Sequence, residues 1–268
     1  MKTTLALAGI ALALCSLAPA QDNPQRVVVP ARNSARPRKL TVHSLNGSIT
    51  VKTHAAREVI VEAVGSERRS RREEAPAGMR RIDIPSTGLS VEEEDNQITV
   101  RLSPPGGSGL VITVPADTSL DLHTNSGPIS VDGVKGEIAV DTLNGPTTLT
   151  GVSGSVLAHS LNGPIKVSMN AVDATKPLSF STLNGTIDVT LPADYKGNVK
   201  LSTGHGAIYS DFDFRLGGGT ITQSNDTSEG RFRVRIDRDR TLSGTINGGG
   251  PEATFKTYNG TIYIRKKQ

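Results

Sequence analysis

The chain has 268 residues, a formal net charge of +4, one cysteine, no tryptophan and 3% aromatic residues. A surplus of four basic groups is too small for the basic stripe of a nucleic-acid binder, and no stacking rings accompany it. A lone cysteine excludes an internal disulfide framework and a cysteine metal cluster. The first Phe or Tyr is Phe180, so the core before it must be thin and filled by Val, Ile and Leu.

The chain opens with MKTTLALAGIALALCSLAPAQD. Lys2, an apolar run from Leu5 to Leu17 and Ala18-Pro19-Ala20 predict a secretory signal peptide over residues 1–20, cleaved before Gln21. Cys15 follows bulky Leu14, where a lipidation site prefers a small residue, so the reading is cleavage rather than lipidation. The protein is then exported, to the periplasm, the cell surface or the medium. No later apolar run is long enough to cross a bilayer as a helix. Residues 21–38 read as an N-terminal segment whose strand RVVVPA caps one end of the domain, and residues 39–268 as one repeat domain.

Eight segments carry the repeat: SLNGSI from Ser44, TNSGPI from Thr124, TLNGPT from Thr142, SLNGPI from Ser160, TLNGTI from Thr182, TGHGAI from Thr203, TLSGTI from Thr241 and TYNGTI from Thr257. Three residues before the shared Gly stands Ser or Thr in every case; two after it stands Ile in seven of the eight. Apolar residues at Gly+2 and Gly+4 give the period of a strand with one buried face. Asn-Gly and Ser-Gly turn a chain at little steric cost. The predicted turn residues are Asn46, Gly47, Gly127, Asn144, Gly145, Asn162, Gly163, Asn184, Gly185, Gly206, Gly244, Asn259 and Gly260.

The glycines are spaced by 80, 18, 18, 22, 21, 38 and 16 residues, one or more units of about 20. The fold class this predicts is all-β: a single-domain parallel β-solenoid with coils of about 20 residues, in which like residues stack on like. The mature length then gives roughly 12 coils and a rod roughly 55–60 Å long. A β-sandwich is the alternative, but it does not require its turns to be spelled alike.

Two stretches break the pattern. Residues 66–81, SERRSRREEAPAGMRR, predict a charged surface insertion in which Arg68, Arg69, Arg71, Arg72, Arg80 and Arg81 are candidates to dock an anionic polymer or a membrane surface. Residues 211–240 are irregular, and Gly217-Gly218-Gly219 lacks the Lys-Ser/Thr of a phosphate loop. The final strand, TIYIRKKQ, is expected to cap the second end.

Little catalytic chemistry is legible. His43, His123 and His159 all stand four before the repeat Gly, with Asp141 at that place between the last two. Two coils would hold His123 and His159 about 9.6 Å apart, too far to share an ion unless Asp141 bridges. The ladder His123, Asp141, His159 therefore reads as outward polar decoration rather than a metal site. Asp211/Asp213 and Asp237/Asp239 are the only pairs of aspartates two residues apart. No catalytic residue, metal or cofactor is assigned.

The recurring [ST]-L-N-G-x-I-x-V phrase and the closing GTINGGGPEATFKTYNGTIYIRK resemble the exported bacterial β-strand-repeat proteins known as putative adhesins, a domain of unknown function, from about Lys39 to Lys266. The resemblance implies a β-helical domain without assigned catalytic residues. The expected function is a non-enzymatic binding or scaffold protein of the cell envelope, with an envelope polysaccharide or a cell-surface protein as partner. The alternatives are a β-helical polysaccharide lyase or hydrolase, and a structural rod that docks an envelope signalling partner.

Overall fold

The computed structural model describes residues 25–31, 37–64, 88–102, 109–217, 223–226, 233–236 and 241–268. The signal segment, Cys15 and the Arg-rich stretch 66–81 lie outside the described residues, as do Asp237 and Asp239. The protein is all-β, and no helix occurs among the described residues. In chain order the strands are β1 (Gln25–Val29), β2 (Arg38–Asn46), β3 (Ile49–His54), β4 (Val59–Val64), β5 (Leu89–Glu94), β6 (Gln97–Leu102), β7 (Gly109–Pro115), β8 (Thr118–Ser126), β9 (Ile129–Asp132), β10 (Lys135–Asn144) and β11 (Thr147–Asn162). They continue as β12 (Ile165–Val172), β13 (Leu178–Asn184), β14 (Ile187–Leu191), β15 (Gly197–His205), β16 (Ile208–Ser210), β17 (Arg215–Gly217), β18 (Gln223–Asp226), β19 (Arg233–Ile236), β20 (Thr241–Ile246), β21 (Glu252–Asn259) and β22 (Ile262–Lys266).

Every repeat phrase except TLSGTI, from Thr241, forms a corner between two strands. The strand before the corner joins a first face, ordered β6, β2, β8, β10, β11, β13, β21, β15, with parallel pairing throughout. The strand after it joins a second face, ordered β7, β3, β9, β11, β12, β14, β22, β16, also parallel. The long β11 serves both faces, bending near Gly151 and Gly154, where its register with β12 shifts. Like residues pair across rungs: Asn144 with Asn162, Asn162 with Asn184, Asn184 with Asn259. Antiparallel strands flank the stack: β5 on β6, β4 and then β1 on β7, and β20 and then β17 on β15.

Three expectations are corrected. The parallel stack holds eight rungs among the described residues, about 34 Å of pairing, not roughly 12 coils. Spatial order departs from chain order at both ends: β6 and β7 lie outside β2 and β3, and β21 and β22 are threaded between β13–β14 and β15–β16. The final strand is therefore interior rather than a cap, while β1 does form an antiparallel edge strand. Gly244 is not a turn residue. It lies inside β20, antiparallel to Val199 of β15 and Leu216 of β17. The segment Thr241–Ile246 copies the repeat's spelling without its geometry, because its chain direction is reversed.

Corner spacing is set by backbone approach. A Cβ on Gly185 would sit 2.2 Å from the carbonyl oxygen of Gly163, and one on Gly145, whose φ is 144°, would sit 2.3 Å from that of Gly127. Only glycine fits such a column. Beside it runs a column of buried hydroxyls, of which Thr182, Thr203 and Thr257 donate to the carbonyls of Gly163, Gly260 and Gly185, each at 3.1 Å. Thr142 and Ser160 occupy the same column with no hydrogen-bond partner in the protein.

The core between the faces is mostly Val, Ile and Leu, with Met169 and two alanines, until Phe180, which is fully buried and stacks on Phe255 of the threaded strand, centroids 5.1 Å apart. Ala158, in register with Phe180 one rung earlier, leaves room for the ring. The connector from β20 to β21 must cross the edge of β15. It does so through Asn247, Gly248 and Gly249, all at positive φ, and Asn198 of β15 donates to the Gly250 carbonyl at 2.7 Å.

Replacing Phe255 with Ala should cost roughly 3–5 kcal/mol, read as a lowered denaturation midpoint, because it empties a fully buried site. Thr182→Val should cost about 1–3 kcal/mol by stranding the Gly163 carbonyl, whereas Thr142→Val should be neutral or stabilising, since the hydroxyl it removes has no partner.

Candidate functional site

Between the buried positions, outward side chains form columns across each face. The column four residues before the corner reads Arg101, His43, His123, Asp141, His159, Ser181, Lys256, Ser202. The imidazoles of His43 and His123 stack at 5.0 Å with 11° between their planes. His123 Nε2 lies 2.8 Å from Asp121 Oδ1, and Lys39 Nζ lies 3.0 Å from Asp121 Oδ2. Burial alone would raise the Asp121 pKa. The hydrogen bond and charge of Lys39, joined by His123, outweigh it and hold the carboxyl below its ordinary value. His43 is held below the ordinary 6.5 first by burial, then by the neighbouring His123 and Arg101, with Asp121 opposing. An open groove of about 530 Å³ runs beside this network, lined by Lys39, Gln97, Asp121, Glu137 and Leu157 among others.

Asp141 is in register with both His123 and His159, as the repeat spacing requires. The three do not converge: His123 turns to Asp121 on its own strand. Among the described residues no group of three or more His, Cys, Asp or Glu side chains could hold a metal ion.

The corner residues form a continuous amide ladder. Asn162 donates to Asn144 at 3.0 Å, Asn184 to Asn162 at 2.8 Å and Asn259 to Asn184 at 2.7 Å. Asn46 lies beside Ser126, which interrupts the ladder on that side. Gly47, Gly127, Gly206 and Gly260 stand at corners of this kind as well. Next to the ladder, Leu45, Leu143, Leu183 and Tyr258 project from the first face and are exposed.

The second face carries an arrangement that sequence reasoning missed. Its column three residues after the corner runs Ser130, Thr148, Lys166, Asp188, Tyr263, Tyr209. The two tyrosine rings are parallel within 12° at 5.3 Å. The Arg265 guanidinium sits 5.2 Å from the Tyr263 ring centre and donates to both oxygens of Asp188, Nε at 2.8 Å and Nη2 at 3.4 Å. That hydrogen bond and charge raise the Arg265 pKa. Tyr209 and Tyr263 share their column position in the sequence, a visible signal. Their adjacency, and that of Arg265 with Asp188, exists only because β22 is threaded between β14 and β16.

The Toastrack DUF4097 family model matches residues 25–247. The chain belongs to the Toastrack DUF4097 family. No curated protein matches it. A solved structure described as a putative cell adhesion protein from Clostridium sporogenes ATCC 15579 is similar at 11% identity and a TM-score of 0.44, covering 91% of this chain and 100% of that one. A putative adhesin from Bacteroides fragilis NCTC 9343 is similar at 12% identity and a TM-score of 0.33, covering 92% and 98%. The family model begins at β1 and stops at Asn247, the first residue of the β20–β21 connector, so the threaded β21 and β22 lie beyond the match.

Because the folded pKa of His43 lies below its unfolded value, the unfolded chain binds more protons there, and stability should fall as pH drops through 6.5 toward the folded pKa. His43→Gln should flatten that part of a melting-temperature profile while leaving the melting temperature at pH 8 nearly unchanged.

Proposed function

We propose that this protein is a non-enzymatic, exported binding or scaffold module of the bacterial cell envelope, of the adhesin type. Its repeat stack is read as a β-solenoid with coils of about 20 residues. The observation that carries the reading is the pair of outer faces: in-register columns of polar, aromatic and apolar side chains displayed on a parallel sheet whose spacing is fixed by backbone. The Asn144–Asn162–Asn184–Asn259 ladder, with Leu143, Leu183 and Tyr258 exposed beside it, repeats one contact along the axis, which suits a repeating polymer or a flat partner surface. The titratable groups of the first face pair with one another along the sheet instead of converging around a point where a bond would be broken. Export to the periplasm or cell surface follows from the signal-like residues 1–20, and an envelope polysaccharide or a cell-surface protein is the fitting partner.

The test is a pulldown of the mature chain, residues 21–268, on purified peptidoglycan sacculi and on immobilised envelope polysaccharides, with and without EDTA. Selective retention that EDTA does not change, with the polymer recovered intact, is the expected result. Release of shortened glycan fragments would replace this reading with the lyase or hydrolase alternative. Failure to bind any envelope polymer or any envelope protein would overturn it.

A further inference from the structure

We infer that the Tyr209–Tyr263 end of the second face is a glycan-binding site, taking the pyranose rings of an uncharged polysaccharide backbone. This rests on the binding reading above and names its surface. A pyranose presents a C–H face and a rim of hydroxyls, so it needs a flat aromatic surface beside fixed donors and acceptors. Both are here. Tyr209 is 57% exposed, and its ring is held parallel to Tyr263 by pairing of β16 with β22. Among the described residues β22 is the only strand paired with β16. Tyr209 is thus the terminal ring of its column, with one face stacked toward Tyr263.

The polar half is equally fixed. Arg265 is clamped over Tyr263 by its two bonds to Asp188, which keeps the guanidinium plane and the carboxylate in one orientation before any ligand arrives. Lys166 lies next to Asp188 in the column, and Asp211 accepts from the Lys266 backbone N–H at 3.2 Å beside Tyr209's strand. The strip from Thr148 to Tyr209 spans five rungs, about 19 Å, room for several sugars in line.

Charge selects the ligand class. Two cations, Lys166 and Arg265, are balanced along the strip by two carboxylates, Asp188 and Asp211, so a phosphate-rich polymer finds no net positive charge to hold it. Hydroxyls, which donate to carboxylates and accept from guanidinium, need none.

The protein has no tryptophan and four tyrosines, two of them in this site, so a ligand-induced change in tyrosine emission that Tyr209→Ala removes and Tyr258→Ala keeps reports on it. The mature chain is titrated with chitohexaose and cellohexaose, following tyrosine fluorescence and calorimetric heat, alongside retention on sacculi. The expected result is a saturable change in emission with at least one hexaose. Tyr209→Ala should weaken affinity roughly tenfold or more, about the loss of one strong contact. Tyr209→Phe should retain it, since the ring face is kept, and Arg265→Ala should weaken it with the far-ultraviolet spectrum unchanged. Tyr258→Ala, on the opposite face, should bind as the parent does. If the parent binds a hexaose and Tyr209→Ala and Tyr263→Ala bind it equally well, this site is wrong while the binding module stands. If neither hexaose binds and sacculi or an envelope protein are still retained, the site is again wrong and the module stands. If nothing is retained, both fail.

Discussion

The carbonyl of one corner glycine points at the place where the next glycine's Cβ would be. Across the stack that approach is about 2 Å, as at Gly163 against Gly145 and Gly260 against Gly185. No side chain fits there, so the corners must be glycine, and glycine corners let neighbouring strands pair at full register. The rest of the architecture follows from that column. Once the corners superpose, residues at equal distance from them superpose too, and a sequence position becomes a column running across a face.

The columns divide the energetics. Inward ones give the core, at Val, Ile and Leu and then the Phe180–Phe255 pair. The hydroxyl column next to the corner closes backbone carbonyls that the turn leaves open, at Thr182, Thr203 and Thr257, and it tolerates unpartnered members at Thr142 and Ser160. The Asn amides extend the hydrogen bonding onto the corner itself. Since backbone, hydroxyl and amide hold the stack, most outward side chains are free of structural duty, and their chemistry can vary rung by rung.

The threading of β21 and β22 inserts one late strand into each face. It places the last strands of the chain among strands roughly 75 residues earlier in the sequence, as the Asn259–Asn184 and Arg265–Asp188 bonds show. The Asn247–Gly249 run is the crossing that permits it: a connector that must pass over the edge of β15 needs positive φ and little bulk. Three of the four tyrosines, Tyr209, Tyr258 and Tyr263, fall on or beside the threaded strands, so aromatic surface is concentrated at one end of the molecule.

The repeat spelling by itself determined the strand-and-corner unit, the inward and outward alternation, the corner residues from Asn46 to Gly260 and the polar character of the His43–His123–Asp141–His159 column. These are local consequences of period, of glycine's freedom and of identical residues recurring at fixed offsets. It misjudged Gly244, because spelling carries no chain direction and β20 runs antiparallel, and it missed the β6–β7 and β21–β22 displacements, because stacking energy between like rungs is the same whichever order the chain visits them. The Lys39–Asp121–His123 network and the Tyr209–Tyr263–Arg265–Asp188 cluster depend on which rungs are neighbours. For the first, neighbourhood is decided by β6 lying outside β2, which leaves β2 against β8; for the second, by the packing of Phe255 on Phe180 and a connector able to cross β15, and only the tertiary structure supplies these.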